Sequence, residues 1–164
     1  MLYLGIDPGG DGGLAIIDER KSIWGLSRYR DVEAPKFLSS FIGEGKIRTC
    51  IEDVHAVQGS GAKSTFNFGY NTGKVTGMII MFYVWNNLDL NDFTKVIPQT
   101  WKDDMGISLG IHASKEEKKE ASIQLAKELF PCVDLRPNKL CKNDHDGIAE
   151  ALLIAEWNRR RYEK

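Results

Sequence analysis

Cysteine is scarce: Cys50, Cys132 and Cys141 are the only three in 164 residues, and none forms a CxxC pair. The odd number and irregular spacing exclude a disulfide scaffold and fit a reducing cytoplasm. Cys141 and His145 make half of a zinc set, and no second pair completes it. No apolar run reaches the roughly 18 residues needed to span a bilayer, so no membrane association is expected. The opening stretch lacks the basic region and long apolar segment of a secretory signal. Repeats, linkers and low-complexity tracts are missing as well. So is an excess of either charge: 22 basic and 23 acidic residues leave a formal net charge of −1, which is no obvious footprint of a polyanion binder. The basic residues are nevertheless grouped, in Lys115, Lys118 and Lys119, in Lys139 and Lys142, and in Arg159-Arg160-Arg161.

What is present is globular. Hydrophobic residues make up 42% and charged residues 27%, and residues 1–164 suffice for one domain with a substantial core. The chain opens with Leu2-Tyr3-Leu4-Gly5-Ile6-Asp7, turns through Gly9, Gly10, Gly12 and Gly13, and resumes as Leu14-Ala15-Ile16-Ile17. Two apolar runs joined by glycines read as a β-hairpin. Leu2, Leu4 and Ile6 alternate with Tyr3, Gly5 and Asp7, so Asp7 ends its strand on the face opposite those aliphatics. A third strand is read over 23–29, a short helix over 35–42 with Gly43 past its end, and a fourth strand over 47–54. Residues 55–69 are polar and read as a loop. An apolar helix is expected over 70–86, and a fifth strand over 93–97, stopped by Pro98. Ser114-Lys115-Glu116-Glu117 is a capping box opening a helix that Pro131 stops. Asp144 or Asp146 is expected to cap a last helix carrying Ile148, Leu152, Ile154, Ala155 and Trp157. Strands in hairpin order followed by alternating helices and strands indicate an α/β protein with a mixed five-stranded sheet and helices on both faces.

Asp7 and Glu52 both stand where an apolar strand gives out. If the first and fourth strands are parallel neighbours, the two carboxylates meet at one sheet edge. Asp146 and Glu150, four apart on the last helix, share a face about 5–6 Å apart between Cβ atoms. Four such carboxylates suit two Mg²⁺ ions about 3.5–4 Å apart, the spacing that activates water and stabilises the leaving oxygen in phosphodiester cleavage. Metal occupancy would also turn the formal charge of −1 into +3 and relieve the objection from composition. Blander roles stand beside these: a solvated helix residue for Glu150, a helix cap for Asp146.

Gly5-Ile6-Asp7-Pro8-Gly9, Ile51-Glu52-Asp53-Val54 and Asp146-Gly147-Ile148-Ala149-Glu150-Ala151-Leu152-Leu153-Ile154-Ala155, taken in order, resemble the RuvC-type Holliday junction resolvases of the RNase H-like superfamily, in particular their bacteriophage-type members. Lys63 to Gly73 resembles the segment that follows the second acid in phage forms. The resemblance covers nearly the whole chain. It implies a single RNase H-like nuclease domain over 1–164 and a metal-dependent endonuclease of branched DNA, above all four-way junctions. Asp7, Glu52, Asp146 and Glu150 would be its catalytic and metal-holding acids, with Asp144 a rival for the fourth place. It also implies two Mg²⁺ ions per site, replaceable by Mn²⁺, and a homodimer built on the 70–86 helix, working in the cytoplasm of a bacterium or a phage-infected host. Lys102 in Pro98-Gln99-Thr100-Trp101-Lys102 and Lys115 in Ala113-Ser114-Lys115 match family lysines near the scissile phosphate. Lys118 joins them in the same basic group, and His55 or Phe66 stands where a base-stacking wedge is expected. A ribonuclease H would share this fold, and a junction-binding protein without catalysis would not need the acids. An actin- or sugar-kinase-like protein also opens with Ile-Asp, but it needs a second domain for which 164 residues leave no room.

Overall fold

The computed structural model describes residues 1–54, 61–107 and 113–163. Five strands, β1 (Leu2–Asp7), β2 (Gly13–Asp18), β3 (Ile23–Arg28), β4 (Ile47–Glu52) and β5 (Phe93–Val96), form one sheet in the order β3-β2-β1-β4-β5. The β1–β2 and β2–β3 pairs are antiparallel, whereas β1–β4 and β4–β5 are parallel. Five α-helices accompany them among the described residues: α1 (Glu33–Ser39), α2 (Ala62–Trp85), α3 (Pro98–Met105), α4 (Lys115–Leu129) and α5 (Asp146–Tyr162). The α/β class and the mixed five-stranded sheet with helices on both faces are as expected.

The strand alternation sorts the core into two layers. Leu2, Leu4 and Ile6 of β1 pack with Val75, Ile79, Phe82 and Tyr83 of α2 and Leu38 of α1. Tyr3 and Cys50, on the other face, pack with Trp101 of α3, Ala126 of α4 and the apolar side of α5. Asp7 and Glu52 continue the second series, so both carboxylates emerge on the α5 face.

α5 lies almost on the backbone of β1. A Cβ on Gly5 would come within 2.1 Å of the Ala151 carbonyl oxygen, and one on Gly13 within 2.3 Å of the Gly147 carbonyl oxygen. Gly147, Ala151 and Ala155, four apart and all buried, keep that side of the helix low, while Ile148, Leu152, Leu153 and Ile154 fill the space around it. Each fully buried aliphatic of this kind contributes about 1.5–3 kcal/mol.

β3, β4 and β5 end one or two residues earlier than read, at Arg28, Glu52 and Val96, and four further differences follow. Residues 62–69 belong to α2 rather than to a loop, because a helix anchored by Val75, Ile79, Phe82 and Tyr83 propagates into an exposed N-terminal part at little cost. α3 was not foreseen: Pro98, read as a strand stop, is also its first residue, and Gly106 at φ 80° ends it in a left-handed cap. α1 runs from Glu33 to Ser39, two residues early at its start and three at its end. Neither Asp144 nor Asp146 caps α5. His145 does, its Nδ1 accepting from the Ile148 amide at 3.3 Å, because Asp146 is already the first helical residue. Ser114 and Glu117 form the expected reciprocal capping box on α4.

Candidate active site

β1 and β4 run side by side in the same direction, and their last residues, Asp7 and Glu52, stand together at one end of the sheet. The Gly9 amide donates to Asp7 Oδ1 at 3.0 Å, which orients the carboxylate over the glycine turn. Glu52 is buried, and Trp101 Nε1 donates to its Oε1 at 2.9 Å from α3. Glu150, on the first turns of α5, accepts from Lys102 Nζ at 2.8 Å and from Ser122 Oγ of α4 at 3.1 Å, both on Oε1.

These three acids act on one another electrostatically. Burial, then the Glu52 and Glu150 charges, push the Asp7 carboxyl up to about 8, against the opposing Gly9 amide and Lys102. Burial and then Glu150 raise Glu52 to about 6, with Lys102 and the Trp101 hydrogen bond acting the other way. Burial alone would lower Lys102, but Glu150, Glu52 and Asp7 outweigh it and hold its ammonium firmly charged. One lysine thus faces three carboxylates in a poorly solvated corner. The imbalance favours either a shared proton or a cation of higher charge.

Asp146 lies one turn earlier on α5 and pairs with Lys119 Nζ of α4 at 2.7 Å. Asp144 pairs with Lys127 Nζ at 2.5 Å. Lys115 and Lys118 are exposed on the first turns of α4. Phe66 is 70% exposed on α2, its ring stacked 6.1 Å from that of Tyr70. His55 lies outside the described residues.

The donor set suits a hard divalent cation, being all carboxylate oxygen with an excess of negative charge. The side chains are not gathered for one: among the described residues no three His, Cys, Asp or Glu side chains already converge as ligands. Glu150 is turned to Lys102 and Ser122, and Asp146 to Lys119, so cation binding requires those two acids to exchange an ammonium for the metal. Trp101 and Ser122 were not among the residues singled out as a site, while Lys119 was named only in the basic group and His145 only as half of an incomplete zinc set. Trp101 was within reach of sequence reasoning, since it precedes Lys102 in the same motif, whereas Ser122 carries no pattern that marks it.

A scan against protein-family models and a search of curated proteins found no match to this chain.

Proposed function

We propose that this protein is a RuvC-type, RNase H-like endonuclease that resolves four-way DNA junctions and related branched DNA in recombination, repair or phage genome processing. The observation that carries the reading is that Asp7 and Glu52, from adjacent parallel strand ends, and Glu150 of α5 lie within electrostatic reach of one another and of a single lysine. Such a group has little use in a fold that only needs stability, because its members repel one another.

Asp7, Glu52 and Glu150 would hold Mg²⁺ or Mn²⁺, and Asp146 would complete the set on leaving Lys119. The metal ions would supply an activated water and stabilise the leaving oxygen. Lys102, freed from Glu150, would stay beside the acids, where its ammonium meets the scissile phosphate. Lys115 sits at the first position of α4, where helix amides and side chain together favour another phosphate. Lys118 extends that basic surface. Phe66 and Tyr70 offer an exposed ring pair on which an unpaired base can stack.

A two-fold substrate calls for a two-fold enzyme. One face of α2 carries Phe66, Gly69, Gly73, Gly77, Ile80 and Val84; the three aromatic and aliphatic groups at 66, 80 and 84 are exposed, and nothing lies within 4 Å of a Cβ on the three glycines. A second copy would cover it. The cytoplasm is the compartment such an enzyme requires, and no described helix is long and apolar enough to cross a membrane.

The test is cleavage of synthetic four-way junctions, forks and RNA–DNA hybrids with and without Mg²⁺. Paired symmetrical nicks in the junction, dependent on Mg²⁺, are expected. Cutting confined to the RNA strand of hybrids would make the protein a ribonuclease H. Tight junction binding with no cutting in Mg²⁺ would make it a binding protein, for which the lysine–acid pairs are the resting arrangement.

A further inference from the structure

We propose that Trp101 and Ser122 are positioning residues, Trp101 fixing Glu52 and Ser122 fixing Glu150 so that both acids present their remaining oxygen lone pairs to a divalent cation. The inference rests on the nuclease reading and extends it to two side chains that never touch substrate.

Both residues are fully buried. Packing accounts for the Trp101 ring, which belongs to the core beneath α5. It does not account for the indole N–H, a donor with no acceptor capacity, aimed from that core at a carboxylate 2.9 Å away. A phenylalanine or leucine would fill most of the same volume without it. Trp101 opens no contact with Glu52 by chance of sequence neighbourhood: the two are 49 residues apart and on different elements. The contact engages Oε1 alone and so anchors that oxygen while leaving Oε2 for a cation.

Ser122 makes the corresponding contact to Glu150 from α4. Its Oγ is 3.1 Å from Glu150 Oε1, and its alternative acceptor, the Lys118 carbonyl, is farther, at 3.3 Å. Lys102 Nζ shares that Oε1. When Lys102 turns to a phosphate, Ser122 is the group left holding Glu150 in place. Partners of this kind behind metal-holding side chains are worth roughly 10- to 100-fold in metal affinity when removed.

The experiment is titration of the intact protein with Mn²⁺ alone, followed by calorimetry, on wild type, Trp101→Phe, Ser122→Ala, Glu52→Gln and the double variant Trp101→Phe/Glu52→Gln. Thermal unfolding of each variant records folding separately. Trp101→Phe is expected to weaken Mn²⁺ binding about 10-fold and to add nothing once Glu52→Gln is present, while Ser122→Ala weakens it to a lesser degree. Equal losses from Trp101→Phe in both backgrounds would mean that the tryptophan acts through packing alone, and would overturn the positioning role while leaving the nuclease reading intact. A wild-type protein that takes up no Mn²⁺ would sink both. Should Trp101→Phe not fold, the Nε1–H resonance of Trp101 decides in the wild-type protein. It should move in Glu52→Gln and again on Mg²⁺ addition, and a resonance that moves in neither overturns the contact.

Discussion

Asp7 is where the chemistry and the stability of this protein meet. Its carboxyl and that of Glu52 titrate well above an ordinary carboxylate because burial and mutual repulsion disfavour the ionised forms. A folded-state pKa above the unfolded one means that the folded state holds extra protons. The contribution of these two groups to the stability of the metal-free protein should therefore be greatest near pH 4 and fall as pH rises through about 6 and about 8. Asp7→Asn removes the leading member. At pH 8.5 without metal, scanning calorimetry should find the variant melting above wild type, by about 2–4 °C for each kcal/mol relieved. The gap should close at pH 4, and Mg²⁺ should raise the wild-type midpoint more than the variant's. Parallel pH profiles would mean that Asp7 ionises freely. His145 carries the opposite sign. Burial first, and then Arg28, lower its pKa, and its Nδ1 must be unprotonated to accept from Ile148. Its contribution is thus present above the ordinary histidine range and lost as pH falls through the lowered value. His145→Ala should cost about 1 kcal/mol at pH 7.5 and much less at pH 5, with His145→Asn restoring most of it. A pH-independent loss, read from denaturant unfolding, would deny the cap.

At the scale of elements, α5 is held to the sheet by what β1 omits. Gly5→Ala places a methyl group 2.1 Å from the Ala151 carbonyl and 2.3 Å from the Ala155 amide nitrogen, so strand and helix must part. It should destabilise by about 3 kcal/mol or more, whereas Gly10→Ala, with nothing within 4 Å, should stay within about 0.5 kcal/mol. Similar losses in chemical denaturation would show that α5 does not sit on β1. The same contact explains why so much here was readable from the chain. The alternation of Leu2, Leu4 and Ile6 against Tyr3, Gly5 and Asp7 determines which face each side chain takes, and hence that Asp7 and Glu52 point toward the last helix. The capping box at Ser114 likewise announces itself locally. α3 was hidden because Pro98 signals the end of a strand and the start of a helix equally well. The N-terminal third of α2 was hidden because its side chains are exposed and impose no period. Ser122 could not be found at all, since its role is created by α4 packing beside α5, a contact no local pattern encodes.

On the scale of the whole molecule, a near-neutral chain carries a divided surface. The lysines of α4 lie to one side of the acids, and α2 leaves Trp85 79% and Val84 57% exposed. An apolar groove of about 300 Å³ between α1 and α2, bordered by Pro35, Leu38, Ile42, Met78, Met81 and Trp85, adds to that surface. In the proposed homodimer Val84→Glu would place a charge in the interface. Analytical ultracentrifugation should then find wild type as a dimer and the variant as a folded monomer, and a monomeric wild type would remove α2 from this role. The proposal as a whole depends most on which acids serve the cut. Glu150 is drawn into the group with Asp7 and Glu52, while Asp144 is tied to Lys127 away from it. The most direct measurement is single-turnover cleavage of a synthetic four-way junction at saturating Mg²⁺ by wild type, Glu150→Gln and Asp144→Asn. Glu150→Gln should lose at least about 10²-fold in rate and Asp144→Asn less than about 10-fold, where each tenfold is about 1.4 kcal/mol of barrier. A dead Asp144→Asn beside a fully active Glu150→Gln, or a wild-type protein that leaves the junction whole, would contradict the site described.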